Sequence, residues 1–183
     1  GVLHNHRREV VRFHQVRRWI ICILEYRGRH REPMMQPNRY TELFFLDEAT
    51  ALAAGHRPCA ECRHRDYQHF RRCFAAAADG RLPSADEMDR CLHADRLAAP
   101  GTRKTYDEDI AALPDGVFIV RNDEPWLLWD AALWHWTTAG YDHRVVRPAD
   151  GRVTVLTPRG TVQAIAAGYV PGVHPSAGNL PQP

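Results

Sequence analysis

No stretch of the sequence approaches the roughly 20 consecutive apolar residues that a membrane-spanning helix needs, so no membrane partner is expected. Residues 1–18 are studded with Arg and His where a secretory signal would carry an apolar core, which argues against a signal peptide. The five cysteines are odd in number, and only Cys59 and Cys62 sit at a recognised spacing. A disulfide framework is therefore not expected, and a reducing, cytoplasmic setting is. There is no glycine-rich phosphate loop and no serine nucleophile elbow.

What is present suits a globular chain. At 183 residues, 44% hydrophobic and 25% charged, it has enough apolar material to bury a core as one ordinary domain or two very small ones. The net charge of +2 implies no partner by itself, but it is unevenly spread. Residues 1–41 hold nine Arg and four His against three Glu. Such a face meets nucleic-acid phosphates or simply solvates the surface. Arg57, Arg63, Arg65, Arg71 and Arg72 would extend it if they share that face. Nothing in the sequence reports an oligomeric state.

Along the chain, Trp19–Tyr26 is a short apolar run rich in β-branched and aromatic residues, which predicts a strand buried on both faces. Arg27–Arg39 reads as a loop, with Gly28, Pro33 and Pro37. Tyr40–Leu46 predicts a second strand. Asp47 caps a short helix over Glu48–Ala54, and Gly55 ends it. Cys59 opens a helix running to about Ala78, and Ser84 with Glu87 makes a capping box for the next. Ala98–Lys104 is a linker. Beyond it, Val117–Val120, Pro125–Trp129, Leu133–Thr137 and Val153–Leu156 are short strands, and a helix over about Arg159–Ala167 stops at Gly168. Trp126, Trp129, Trp134 and Trp136 fill the core of a small sheet or line a pocket; aromatics are natural strand residues, which favours the core. The run Ala51–Pro58 is echoed by Ala164–Pro171, either as a duplicated unit or as one helix-stop chemistry used twice.

The chemistry concentrates in Pro58-Cys59-Ala60-Glu61-Cys62. A two-residue gap lets both sulfurs face one point about 2.3 Å away, the geometry of a zinc–thiolate site. A following helix adds the positive end of its dipole, which favours thiolate. A thioredoxin-type redox pair would follow a central strand, whereas this pair follows a helix stop and an Arg-Pro. Cys22, between Ile21 and Ile23, reads either as a core thiol or as a further ligand. His30 is either a surface residue or a ligand contributed by the Arg27–Arg39 loop. Cys73, Cys91, His64, His69 and His93 fit packing or solvent positions better.

Phe44-Phe45, Asp47-Glu48-Ala49 and Ala53-Ala54-Gly55-His56-Arg57-Pro58-Cys59-Ala60-Glu61-Cys62 resemble the second half of the Ada-type zinc-binding domain. The likeness covers about 20 of the 183 residues. It implies a small ββα zinc module associated with DNA alkylation repair. That family carries two more cysteines in the loop before its second strand, one of them the methyl acceptor. Arg27–Arg39 holds none, so a zinc module is implied without methyl transfer. The whole chain is also similar to a set of short bacterial proteins, a likeness that implies no activity.

A rival reading joins His30-Arg31-Glu32 to Pro58–Cys62 as H-x-E…P-C-x-x-C, the signature of zinc deaminases. There His30, Cys59 and Cys62 would hold zinc, and Glu32 would shuttle the proton during hydrolysis of an amino-substituted base or similar small molecule. Pro33 and Pro37 disfavour the helix that such a His-x-Glu opens. The expectation is therefore an α+β chain. Residues 1–98 form an Ada-like, zinc-organised ββα region with extra helices, and residues 99–183 a small antiparallel sheet with a closing helix and irregular tail. The function expected is zinc binding in nucleic-acid metabolism, the metal structural or substrate-organising, with Cys22, His30, Cys59 and Cys62 as candidate ligands.

Overall fold

The computed structural model describes residues 1–28, 33–99 and 101–178. Its elements are β1 (Ile20–Ile21), α1 (Glu48–Ala53), β2 (Arg57–Pro58), α2 (His64–Ala76), α3 (Ala85–Arg96), β3 (Leu97–Ala99), β4 (Thr102–Arg103), β5 (Tyr106–Asp109), β6 (Phe118–Arg121), β7 (Glu124–Trp129), β8 (Ala132–Thr137), β9 (Gly140–Val146), β10 (Arg152–Val155) and α4 (Arg159–Ala166). The chain is α+β. Its main sheet is antiparallel, in the order β5-β10-β6-β7-β8-β9.

The sheet follows from local chemistry. Asn122-Asp123 and Asp130-Ala131 all have positive φ and close the β6–β7 and β7–β8 hairpins with two residues each. Such turns match the right-handed twist of the strands they join. Register then sorts the side chains by face. Ile119, Trp126, Leu128 and Leu133 enter one cluster with Tyr67 and Phe70 of α2, Met88 and Leu92 of α3, and Val162 and Ile165 of α4. Phe118, Leu127, Ala132 and Trp134 enter a second with Ala49 and Ala53 of α1. Both faces of the sheet are thus covered. Trp126 and Trp134 are buried, and Trp129 and Trp136 pack against the second cluster, as core-filling residues would.

Helix ends behave as their residues dictate. Asp47 accepts from Thr50 N–H, and Ser84 and Glu87 form a reciprocal capping box. Gly55 must be glycine twice over. Its φ is +87°, and a Cβ there would lie 2.5 Å from Arg96 Cδ. Behind the echo is one hydrogen-bond pattern used twice. His56 N–H donates to Ala51 O after α1, and Tyr169 N–H to Ala164 O after α4, each spanning five residues as in a Schellman stop.

The N-terminal ββα expectation needs correction. Within Trp19–Tyr26 only Ile20–Ile21 is strand, and Leu24 is 76% exposed. Its sole paired neighbour among the described residues is the Arg57–Pro58 dipeptide, and proline cannot extend a ladder. Tyr40–Leu46 forms no strand, and Leu43 and Phe44 are exposed. Thr41 bonds instead to the N-terminus: its N–H donates to Gly1 O, and Leu3 N–H donates to its hydroxyl. Helix α2 begins at His64, a turn later than expected, and the linker holds the β3–β4 hairpin. The acidic strand β5 and the bulged strand β9 went unanticipated. Asp107, Glu108 and Asp109 are poor strand formers, held by pairing to β10.

Arg57, 1% exposed, fixes β2 against α3. Its Nε and Nη2 donate to the two oxygens of buried Asp89 at 2.9 and 2.8 Å, and its guanidinium lies 5.3 Å from the Tyr67 ring centre. Removing one partner strands the other charge in the interior, so Asp89→Ala is expected to cost about 3–5 kcal/mol. Urea unfolding reads this directly; a loss below about 1 kcal/mol, the range of an exposed pair, contradicts the assignment.

Candidate metal centre

The centre is built by the parallel pairing of β1 and β2. Arg57 N–H donates to Trp19 O at 3.1 Å and Cys59 N–H to Ile21 O at 3.0 Å. With Ile21 opposite Pro58, the ladder delivers Cys22 beside Cys59 just past its last paired residues. The chain then turns through Ala60 and Glu61, with Arg63 N–H donating to Cys59 O at 3.2 Å, and this turn returns Cys62 to the same point. The sulfurs of Cys22, Cys59 and Cys62 all lie within 4.8 Å of one another. Three thiolates bound tetrahedrally at about 2.3 Å would stand about 3.8 Å apart, so small side-chain adjustments fit the set to one metal ion. None of the three is in a disulfide; Cys59 is buried, and Cys22 and Cys62 are partly exposed.

Electrostatics favour the metal-binding form. Burial opposes the Cys59 thiolate, but the backbone N–H groups of Cys62 and Glu61 and the thiols of Cys62 and Cys22 stabilise it. On balance its pKa falls below the ordinary thiol value. Arg63, next to Cys62, anchors the turn: its Nη2 pairs with Glu48 at 2.9 Å and Asp66 at 2.7 Å.

The structure brings together three of the four anticipated ligands. Cys22, which sequence left between core thiol and ligand, joins the C-x-x-C pair. What hid it was the short strand: a long β1 would have buried this thiol between sheet layers. His30, and Glu32 of the hydrolytic reading, lie outside the described residues. Cys73 is buried in the main core and Cys91 is exposed, both apart from the cluster. His64 turns its ring onto Ala60 O, and His69 packs on Tyr169.

The basic face is narrower than sequence suggested. Arg57 is committed to Asp89, Arg63 to Glu48 and Asp66, and Arg71 to Pro83 O. Arg7, Arg8, Arg12, Arg17, Arg18, Arg27 and Arg39 are exposed, with Arg65 and Arg72. Sequence counts charges but not which of them the interior consumes.

Behind the centre sits His56, buried between Trp19, 5.2 Å away ring to ring, and Phe45, 4.7 Å away. Its Nδ1 has no partner. Burial, then the positive charge of Arg96, push its pKa down to about 3, the carbonyls of Ala51 and Ala54 offsetting only part.

No family model, curated protein or solved structure matches the chain. The centre's own chemistry is therefore the guide to its role.

His56 gives a pH dependence with a definite sign. Its folded pKa lies below that of an unfolded histidine, about 6.5, so the unfolded chain binds a proton that the native protein refuses. Its contribution is complete above about pH 6.5 and is lost as pH falls toward about 3. Stability should drop by up to about 1.4 kcal/mol per pH unit within that window from this group. His56→Phe, which removes the titration and the unpartnered nitrogen, should flatten the slope. Equal slopes in the two proteins between pH 6 and 4 would contradict a neutral buried His56.

Proposed function

We propose that Cys22, Cys59 and Cys62, completed by His30, hold one zinc ion whose role is structural, in a protein associated with nucleic acid. The observation that carries the metal is the convergence of three sulfurs from two distant segments on one point. Soft thiolates select zinc or an iron–sulfur cluster over hard cations, and the C-x-x-C spacing suits zinc. His30 is the ordinary zinc ligand of the Arg27–Arg39 loop apart from Glu32. The Ada-type resemblance around Asp47–Cys62 supports the same reading.

A structural role fits better than a hydrolytic one. Three thiolates on a divalent ion give a centre with net negative charge, which weakens its pull on electrons of a bound water. With His30 added, all four positions belong to protein, and structural zinc sites are closed in this way. The ion would fasten the N-terminal segment to the turn before α2, where the β1–β2 ladder is only two residues long.

The nucleic-acid part of the proposal rests on the nine Arg of residues 1–41 and on the apolar groups exposed among them, Val10, Val11, Phe13 and Val16. Guanidinium groups neutralise phosphates, and an exposed phenyl ring offers a surface on which a base can stack.

Protein purified under reducing, chelator-free conditions should contain about one zinc per chain. Cys22→Ser should lose the metal as completely as Cys59→Ser and destabilise the fold, since metal binding energy is folding energy. Glu32→Ala should change neither. Retention of zinc by Cys22→Ser would return Cys22 to a packing role; loss of a measured ammonia release in Glu32→Ala would favour the hydrolase.

Single-stranded DNA and RNA should bind with affinity falling steeply as salt rises, because each neutralised phosphate releases counterions. Changing Arg17 and Arg18 together to Glu should weaken binding to all sequences alike. Affinity indifferent to both salt and this double substitution would overturn the nucleic-acid part and leave the metal part standing.

A further inference from the structure

Arg96 and Arg103 lie side by side in the fold, and among the described residues neither has a carboxylate partner. The contrast is with Arg57, a buried guanidinium neutralised by both oxygens of Asp89. Arg96, 4% exposed, receives no such partner. Its guanidinium lies 3.8 Å from the Trp19 ring centre and donates to Gly55 O at 2.7 Å, to Arg17 O and to His93 Nδ1 at 3.0 Å, all neutral acceptors. Its Nε is buried with no partner. The Asp89 charge reaches Arg96 but is already bound by Arg57. Arg103 turns in from the surface and donates to the carbonyls of Ala53 and Leu156. Among the described residues no carboxylate lies within ion-pair distance of Arg96 or Arg103. Desolvation lowers the pKa of both, that of Arg96 to about 10. Arg96, withdrawn from water, is costly unless something of opposite charge meets it, and Arg103 stands beside it at the surface, still exposed.

Both cations line the same cavity, of about 180 Å³, between the N-terminal segment, α1 and the β3–β4 hairpin. Its other walls are apolar: Phe13, Trp19, Ala53, Ala54 and Leu97, with Gly101. Gly101 is backbone only, and any Cβ there would come within 2.6 Å of the Phe13 ring, so the ring seats directly on the hairpin as a wall. Phe13 is nonetheless 73% exposed, which leaves ring surface for another group. The space is smaller than the several hundred Å³ typical of drug-sized ligands, and its walls are too apolar for a bare inorganic ion alone. Arginine's planar fork suits carboxylate and phosphate oxygens.

We propose that this cavity binds a small organic oxyanion, a carboxylate or phosphate ester on a flat apolar group. Its charge is met by Arg103 and Arg96, and its apolar group lies against Phe13 and Trp19. The site needs neither the metal nor nucleic acid, and nothing in it performs chemistry on the ligand; it is a binding site.

The full chain is titrated calorimetrically with benzoate, phenyl phosphate, neutral benzamide and inorganic phosphate. Benzoate or phenyl phosphate should bind once per chain, at least about tenfold tighter than benzamide, the worth of a charge-assisted hydrogen bond. The tighter of the two anions says whether a carboxylate or a phosphate ester is the natural source. Arg103→Met should abolish that preference over benzamide. Because Arg103 also braces two carbonyls, Phe13→Ala, at an exposed side chain, serves as the second variant. It should weaken the aromatic anions severalfold and leave inorganic phosphate unchanged. Absence of saturable binding, benzamide as tight as benzoate, inorganic phosphate as tight as phenyl phosphate, or aromatic-anion binding unchanged by Phe13→Ala would each overturn the proposal.

Discussion

Two backbone hydrogen bonds, Arg57 to Trp19 and Cys59 to Ile21, register the segment around residue 20 against the one around residue 58. Everything about the metal centre depends on that register, because a one-residue slip would carry Cys22 away from Cys59. Yet two such bonds contribute only about 1 kcal/mol each, while ordering each residue costs about 1–2 kcal/mol. A ladder this short cannot hold its own flanks. A structural zinc ion, with a binding free energy on the order of 10 kcal/mol or more at neutral pH, is large enough to make the difference. In the proposed reading ladder and metal are complementary: the first brings the sulfurs together, and the second would supply the energy that keeps them there.

The turn carrying Cys62 is in turn tied to the rest of the protein through the first residues of α1. Glu48 accepts from Arg63 at 2.9 Å and from the Tyr169 hydroxyl at 2.6 Å, and its other oxygen accepts from Gly172 N–H at 3.0 Å. Asp47, besides capping the helix, accepts from the Tyr141 hydroxyl at 2.8 Å and His174 N–H at 2.9 Å. Burial and these carboxylates hold both tyrosines well above their ordinary pKa, so they remain donors throughout the physiological range. Two adjacent acidic residues therefore join the centre, the sheet and the irregular C-terminal segment.

The parts of this architecture legible in the sequence were those set by local chemistry. Asp47, Ser84, Glu87, Gly55 and Gly168 announce helix ends through caps and positive φ, and the alternating apolar runs around Trp126 and Trp134 announce sheet. The illegible parts were set by partners. Residues 40–46 have strand composition but, among the described residues, no strand paired with them, whereas Asp107–Asp109 have poor strand composition and a good partner in β10. The C-x-x-C pair was readable from spacing alone. Cys22 was not, since its place beside Cys59 depends on a parallel register between segments 37 residues apart. The fate of each arginine was equally hidden: Arg57 inside an ion pair, Arg96 against a tryptophan and Arg17 in solvent look alike in a sequence.

One zinc ion held by three thiolates and an imidazole is the feature on which the proposed role rests. X-ray absorption at the zinc edge of the purified protein addresses it most directly. The expected first shell is three sulfur neighbours at about 2.3 Å and one nitrogen at about 2.0–2.1 Å. A first shell holding two sulfurs or fewer in the unaltered protein would contradict it.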